Sequence, residues 1–383
     1  MVGNLHNFGG RINMHGDLAL LASNQYSKAK RLDPAVCGSG LFMEAIEQNP
    51  VYYELAFEMP CHPDSIDLRA WLKQYATRRY GAFSPATQKA WMLLLEGPYR
   101  QGTNGTEKSS IVAARPALDV KKSGPNAGLE IPYDPALIIR AQSLLLEDAD
   151  KLSASRPYRF DLVDVQRQMM TNLGQLIHRK AAEAFRSKDR EAFTLHSERF
   201  LGMLADMDTL LRTRSEYSFD RWLTEARSWG ETEEEKNQME RDATSLVTIW
   251  GADGDPRIFD YSWREWAGLI NGYYLPRWQK FYTMLQQHLD EGTSYEEAGL
   301  PQIYGREAFR ANDFYHALAE WELSYVDTYG KARIPATEGD EIDVVKRLFK
   351  KYFKLSQEYY TDSIKLIKPS RDERTYENLG EDL

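Results

Sequence analysis

The feature that most restricts how this chain can fold is a change of pattern near residue 65. Before it, short apolar stretches alternate with loops and helices. Val2–Leu5 runs into the loop His6-Asn7-Phe8-Gly9-Gly10, and a helical stretch covers Asp17–Lys30. Pro34-Ala35-Val36-Cys37 is a strand candidate ending at Gly38-Ser39-Gly40, and Pro50 opens a helix through Val51, Tyr52, Leu55 and Ala56. Proline suits a first helical position because its missing N–H would have no partner there. Strand, loop and helix, taken twice, is the unit of parallel α/β folds. Two such units cannot cover both faces of a parallel sheet, so either this segment packs on something else or its βα pattern is misread.

After residue 65 the period is helical. Leu68, Trp71, Leu72 and Tyr75 share one helix face. Gly81 stops that helix and Ser84-Pro85 starts the next, with Ala90, Trp91, Leu94 and Leu95 inward. Residues 101–134 are rich in Gly, Ser, Asn and Pro and read as a long irregular loop, functional or mobile. Asp134-Pro135 caps a helix carrying Leu137, Ile138, Ala141, Leu144 and Leu145. Helices are expected over 160–186, 189–212, 219–229 and 231–249. Glu233, Glu234 and Glu235 fall where the last of these favours negative charge, and read as a solvated face. The pattern breaks at Trp250–Pro256, resumes near Asp260 and runs past Trp278, with further helices over 307–329 and 340–360. The reading is mainly α: a βα segment over 1–65, a large all-α domain over 66–368 and a charged tail over 369–383.

Composition narrows the function. A net charge of −9 leaves no basic excess to neutralise phosphates, which argues against a nucleic-acid partner. No apolar run reaches the length of a membrane span. Cys37 and Cys61 make neither a disulfide framework nor a zinc pattern, and no metal or cofactor motif is present. Residues 1–10 lack the basic and apolar regions of a signal peptide. The 22 Tyr and 9 Trp can stack on sugar faces or simply fill a helical core.

Three places carry possible chemistry. Glu44 lies in the loop after the second strand candidate, and in barrel enzymes such loops form the active face. A retaining glycosidase holds two carboxylates about 5–5.5 Å apart across the scissile bond. Glu47 is close in sequence, but neighbouring acids on one loop seldom straddle a substrate, and from spacing alone Glu44 is a solvated loop acid. His6 and Asn7 could bond sugar hydroxyls or belong to a tight turn with a buried histidine. Trp250 and Tyr261 flank a break between helices and could form a stacking wall or anchor a long connection.

Three motifs together resemble the α-N-acetylglucosaminidases of glycoside hydrolase family 89. They are Leu5-His6-Asn7-Phe8-Gly9-Gly10, the stretch GSGLFMEAIEQNPVYYE over 38–54, and Ile249-Trp250-Gly251 with Ile258-Phe259-Asp260-Tyr261. Tyr158–Leu162 and the stretch GLINGYYLPRW over 268–278 add to it. The resemblance covers nearly the whole chain. It implies the last two βα units of a (β/α)8 barrel, from about the seventh strand, followed by an all-α domain that completes the pocket. It matches Glu44 to the catalytic nucleophile, Trp250, Ile258 and Tyr261 to residues lining the sugar pocket, and His6 and Asn7 to the barrel mouth. The implied ligand is a glycan ending in α-linked N-acetylglucosamine, with no cofactor. No position matches the acid/base, so the chain is expected to be inactive alone. Its partner would be the missing barrel segment or, through an exposed strand edge, a second copy. Full-length relatives are periplasmic, secreted or lysosomal, and these residues do not choose among the three. Met43-Glu44-Ala45 stands where some members have Pro-Glu-Gly, and the loop before Tyr261 is slightly longer. The competing readings are a non-catalytic carbohydrate-binding helical module and an unrelated all-α glycosidase using acids at helix ends such as Asp260.

Overall fold

A computed structural model describes residues 1–45, 47–100, 108–124, 128–250, 260–297, 312–331 and 336–360. Strand β1 (Val2–Asn4) pairs in parallel with β2 (Ser39–Leu41), Val2 opposite Ser39 and Asn4 opposite Leu41. They form a two-stranded sheet among the described residues. The second strand is later than Pro34–Cys37, the stretch expected. Pro34 cannot donate to a ladder, and Asp33 turns the chain by accepting from the Ala35 N–H (2.9 Å) and Val36 N–H (3.0 Å).

The single helix expected over 17–30 is two, α1 (Leu18–Ala22) and α2 (Gln25–Leu32). Asn24 separates them with a left-handed φ of 57°. Its side-chain oxygen caps α2 at Ser27 N (3.0 Å), while its amide donates to the carbonyls of Met59, His62 and Asp64. Asn tolerates this conformation better than most residues, and here four hydrogen bonds stabilise it. Helix α3 (Pro50–Glu58) follows β2.

The helices that follow are α4 (Leu68–Tyr80), α5 (Pro85–Glu96), α6 (Ala136–Glu147), α7 (Arg156–Arg186) and α8 (Arg190–Leu211). Then come α9 (Phe219–Arg227), α10 (Glu233–Leu246), α11 (Leu275–Glu291), α12 (Asp313–Asp327) and α13 (Glu341–Tyr359). Helix α7 is the axis of the domain. Of its 31 residues 22 are buried, far more than one stripe, so it is covered on several sides. Helices α4, α6, α8 and α13 pack on it. Gly174 allows a close approach to α8: a Cβ there would lie 2.6 Å from Met203 Cε. Helix α10 starts with a capping box between Thr232 and Glu235, and Glu233–Glu235 are exposed there.

Two expectations need correction. Residues 260–268 are not helical; the helix begins at Leu269 and passes through a π turn over Ile270–Tyr274 into α11. Gly268, at φ +86°, makes the preceding bend, and the Asp208 carboxylate fixes it by accepting from Gly268 N (2.7 Å) and Asn271 N (3.3 Å). Part of the long loop read as functional or mobile is irregular as expected but lies in the core. Residues 109–118 are buried throughout. Arg277 donates to the Ala113 carbonyl (2.7 Å), Trp278 to Val112 (3.4 Å) and Tyr315 to Pro116 (3.0 Å). Side chains of α11 and α12 thus meet the backbone groups that would otherwise prevent burial. Positions 307–311 of the expected helix and the tail over 369–383 lie outside the described residues. No helix among the described residues is long and apolar enough to cross a membrane. Cys37 and Cys61 are both free and exposed.

Candidate active site

Glu44 sits on the loop between β2 and α3, and that loop is tied at both ends. Its backbone N–H donates to Asn7 Oδ1 (3.0 Å). At the far end Asn49, with φ 44°, accepts from His15 N (3.0 Å) and the Tyr99 hydroxyl (2.9 Å) and donates to the Asn13 carbonyl (2.9 Å). The Glu44 carboxylate accepts from the Gly9 N–H and from the Tyr261 hydroxyl, 3.0 Å from Oε2. Gly9 has φ +66°, and a Cβ there would come within 2.4 Å of the Tyr261 carbonyl oxygen. The 6–11 loop and the 261 segment can meet over Glu44 because that residue is glycine.

Tyr261 is held from behind. Arg11 donates from Nε to its carbonyl (2.9 Å) and lies 5.5 Å from its ring centre. The Trp250 ring stands edge-on to Tyr261, centroids 4.7 Å apart at 63°. Trp250 has a left-handed φ of 60°, and its N–H donates to the Ser245 carbonyl (2.7 Å) beyond the end of α10. These rings bring together two of the expected pocket residues. Ile258 lies outside the described residues.

A cavity of about 510 Å³ opens in front of Glu44, walled by Gly9, Glu47, Arg221, Trp222, Trp250 and Trp266. The other acids on this wall are tied to arginines. Glu47 pairs with Arg221 (2.9 Å), which also holds Glu225 (2.7 Å). Hydrogen bonds that Arg221 donates to Glu225 and Glu47 raise its pKa and keep it charged. Burial pushes the Glu216 carboxyl up, but its bonds to Arg214 outweigh this and hold it below the ordinary carboxylate range. Glu44 differs in that its hydrogen-bond donors, Gly9 and Tyr261, are neutral. A carboxylate with neutral donors is ordered but keeps its charge available to an incoming electrophile.

His6 and Asn7 lie behind this wall. His6 is 3% exposed, with Nδ1 against the Tyr53 hydroxyl (2.9 Å), Nε2 against the His15 carbonyl (3.0 Å) and its ring stacked on His15 and Tyr52. Burial, then the nearby His15, lowers its pKa well below the ordinary value, so it is neutral. Asn7 is fully buried and acts on Glu44 through the backbone. Sequence reasoning missed Arg11, Arg221, Trp222 and Trp266. The only signal was the aromatic and basic run Ser262-Trp263-Arg264-Glu265-Trp266 directly after Tyr261. Asp260 is fully buried against Arg277 (3.0 and 3.1 Å), which removes it as an acid reaching substrate. Among the described residues no group of three His, Cys, Asp or Glu could hold a metal ion.

A carboxylate held by neutral donors on a βα loop, closed over by a helical domain, fits one class: the end of a glycoside hydrolase barrel followed by its C-terminal helical domain. The family model described as the alpha-N-acetylglucosaminidase (NAGLU) C-terminal domain matches residues 71–351, and that of the tim-barrel domain matches 1–63. The chain belongs to the α-N-acetylglucosaminidase family, and it is not an unrelated all-α glycosidase. It is 32% identical to the human alpha-N-acetylglucosaminidase over 358 residues, which are 91% of this chain and 44% of that protein. It is also similar to a family 89 glycoside hydrolase from Clostridium perfringens solved with PUGNAc, with TM-score 0.81, 27% identity, and coverage of 94% of this chain and 39% of that one. The same enzyme with two glutamates replaced by glutamine, in complex with its substrate GlcNAc-α-1,4-galactose, matches at TM-score 0.81 and 27% identity over 91% of this chain and 38% of that one. The chain therefore spans less than half the length of the relatives it matches.

Proposed function

We propose that these residues supply the nucleophile and the helical side of the pocket of an exo-acting, retaining α-N-acetylglucosaminidase, with the acid/base carboxyl on barrel residues outside them. What carries this reading is Glu44, fixed by neutral donors at the mouth of a cavity walled by aromatic rings. A Glu44 oxygen bonds to the anomeric carbon as the glycosidic bond breaks, and the leaving oxygen takes a proton from the acid/base. Water then attacks the anomeric carbon, gives its proton to the same group and frees Glu44, with net retention. The glutamate-to-glutamine changes in the substrate complex of the Clostridium perfringens relative suit a mechanism run by two carboxylates. Trp250, Ile258 and Tyr261 line the sugar site. His6 and Asn7 contribute to sugar binding by fixing the loop at the barrel mouth. The chain divides into a barrel remnant over 1–65 and a helical domain over 66–368.

Acid–base assistance contributes about 10²–10⁴-fold, and sugar binding also needs the rest of the barrel. The 383 residues alone should therefore leave an aryl α-N-acetylglucosaminide intact. Turnover with first-formed α product, seen by NMR, should return when the preceding barrel is supplied. A β product, or full turnover by the chain alone, would refute this reading. The aromatic corner of Trp250 and Tyr261 also fits a module that binds glycans without hydrolysis. Calorimetric binding of N-acetylglucosamine by the chain alone, lost in Trp250→Ala, together with no turnover in the complete protein, would favour that.

A further inference from the structure

Tyr261 touches Glu44, yet what places Tyr261 lies deep in the helical domain. Its neighbour Asp260 has a left-handed φ of 54°, is fully buried, and donates its N–H to the Thr248 carbonyl (3.0 Å). Both Asp260 oxygens accept from Arg277 Nη1, at 3.0 and 3.1 Å. The same Arg277 donates to Glu322 Oε1 (3.1 Å) and the Ala113 carbonyl (2.7 Å), and packs against the Tyr273 and Tyr274 rings. The other Glu322 oxygen accepts from Arg115 (2.9 Å). Asp260, Arg277 and Glu322 are each fully buried, and Arg115 is 5% exposed. This is a row of alternating charge, Arg115–Glu322–Arg277–Asp260, ending one residue from the hydroxyl on Glu44.

We propose that Asp260 and Arg277 are positioning residues for the glycosidase reaction: they hold the Tyr261 hydroxyl on the Glu44 carboxylate, so Tyr261 serves the nucleophile more than the sugar. Three observations carry this. The left-handed backbone at Asp260 is costly for a non-glycine residue and persists only where the surroundings over-determine it. Both Asp260 oxygens are held by Arg277, which is itself anchored on Glu322 and the Ala113 carbonyl, so the Asp260 side chain has one position. And the Tyr261 hydroxyl is 3.0 and 3.3 Å from the two Glu44 oxygens, spanning the carboxylate as a substrate-facing hydroxyl would not.

The inference rests on Glu44 being the nucleophile, and kinetics separate the two claims. In the barrel-complete enzyme, Tyr261→Phe removes one hydrogen bond to a charged group, so kcat on an aryl α-N-acetylglucosaminide should fall roughly ten- to hundredfold while KM changes little. Asp260→Asn and Arg277→Lys should each lower kcat in the same way. Adding Tyr261→Phe to either should cost little more, because the hydroxyl is already misplaced. A raised KM at unchanged kcat for Tyr261→Phe, or losses that multiply in the double variants, would overturn the proposal. Arg277→Lys keeps the buried cation, so it separates mispositioning from unfolding, which circular dichroism would report. If Glu44→Ala retained full activity, the nucleophile reading would fall first, whatever the Tyr261 result.

Discussion

The two sides of the cavity are held in opposite ways. The barrel end contributes Glu44 through neutral contacts: the Asn7 amide on its backbone, and the Gly9 N–H and Tyr261 hydroxyl on its carboxylate. The helical domain behind it is braced by buried charge, with Arg167 between Asp164 and Glu265, and Arg277 between Asp260 and Glu322. On the proposed reading of Glu44 as nucleophile, a cationic partner would offset its charge and weaken its attack more than a neutral donor does. The strong electrostatic ties are therefore one layer back, where they fix backbone.

The largest test of that contrast is Arg167→Met. Arg167 also donates to the Ile12 carbonyl (2.9 Å) and Asn13 Oδ1 (3.2 Å), so it joins the barrel segment to α7. Removing it strands two buried carboxylates, and chemical denaturation should show a loss of about 3–5 kcal/mol. A loss under about 1 kcal/mol would mean that the bracing is apolar packing alone.

Next is pH. Burial lowers the His178 pKa to about 4, and its Nδ1 shares a hydrogen bond with the Tyr282 hydroxyl (2.9 Å). The folded value lies below the unfolded one, so this neutral imidazole stabilises the fold above pH 6.5, and that stability is lost as pH falls toward 4. Between pH 7 and 4.5 the wild-type chain should lose roughly 2–3 kcal/mol more than His178→Gln. Equal losses would place a charged histidine in the core.

The smallest effect is expected at the barrel end. Phe42, beside β2, is 54% exposed. Phe42→Ser should change the stability of the chain by no more than about 0.5 kcal/mol. A loss several times larger would show that the barrel end is packed as tightly as the helices.

What the sequence revealed divides along the same line. The long helices were legible because each repeats an apolar face, as in α4 with Trp71, Leu72 and Tyr75. A three-residue strand repeats nothing, so β2 was placed at Val36 and not at Ser39–Leu41. Residues 109–118 read as loop because they lie inside a stretch rich in Gly, Ser, Asn and Pro, while the groups that allow their burial come from Arg277, Trp278 and Tyr315, far along the chain. Glu44 was picked out by family resemblance, since spacing alone could not tell it from Glu47. The structure separates these two acids physically: one accepts from neutral donors and the other is paired with Arg221. The buried row behind Tyr261 had no sequence signal, because nothing in a linear chain shows that Asp260, Arg277 and Glu322 face one another.

The most direct test of the central claim is Glu44→Ala in the barrel-complete enzyme, assayed with and without azide on an aryl α-N-acetylglucosaminide. Loss of turnover, restored by azide with formation of the β-glycosyl azide, would identify Glu44 as the nucleophile on the β face. Turnover equal to wild type in Glu44→Ala would contradict it and place the attacking carboxylate elsewhere.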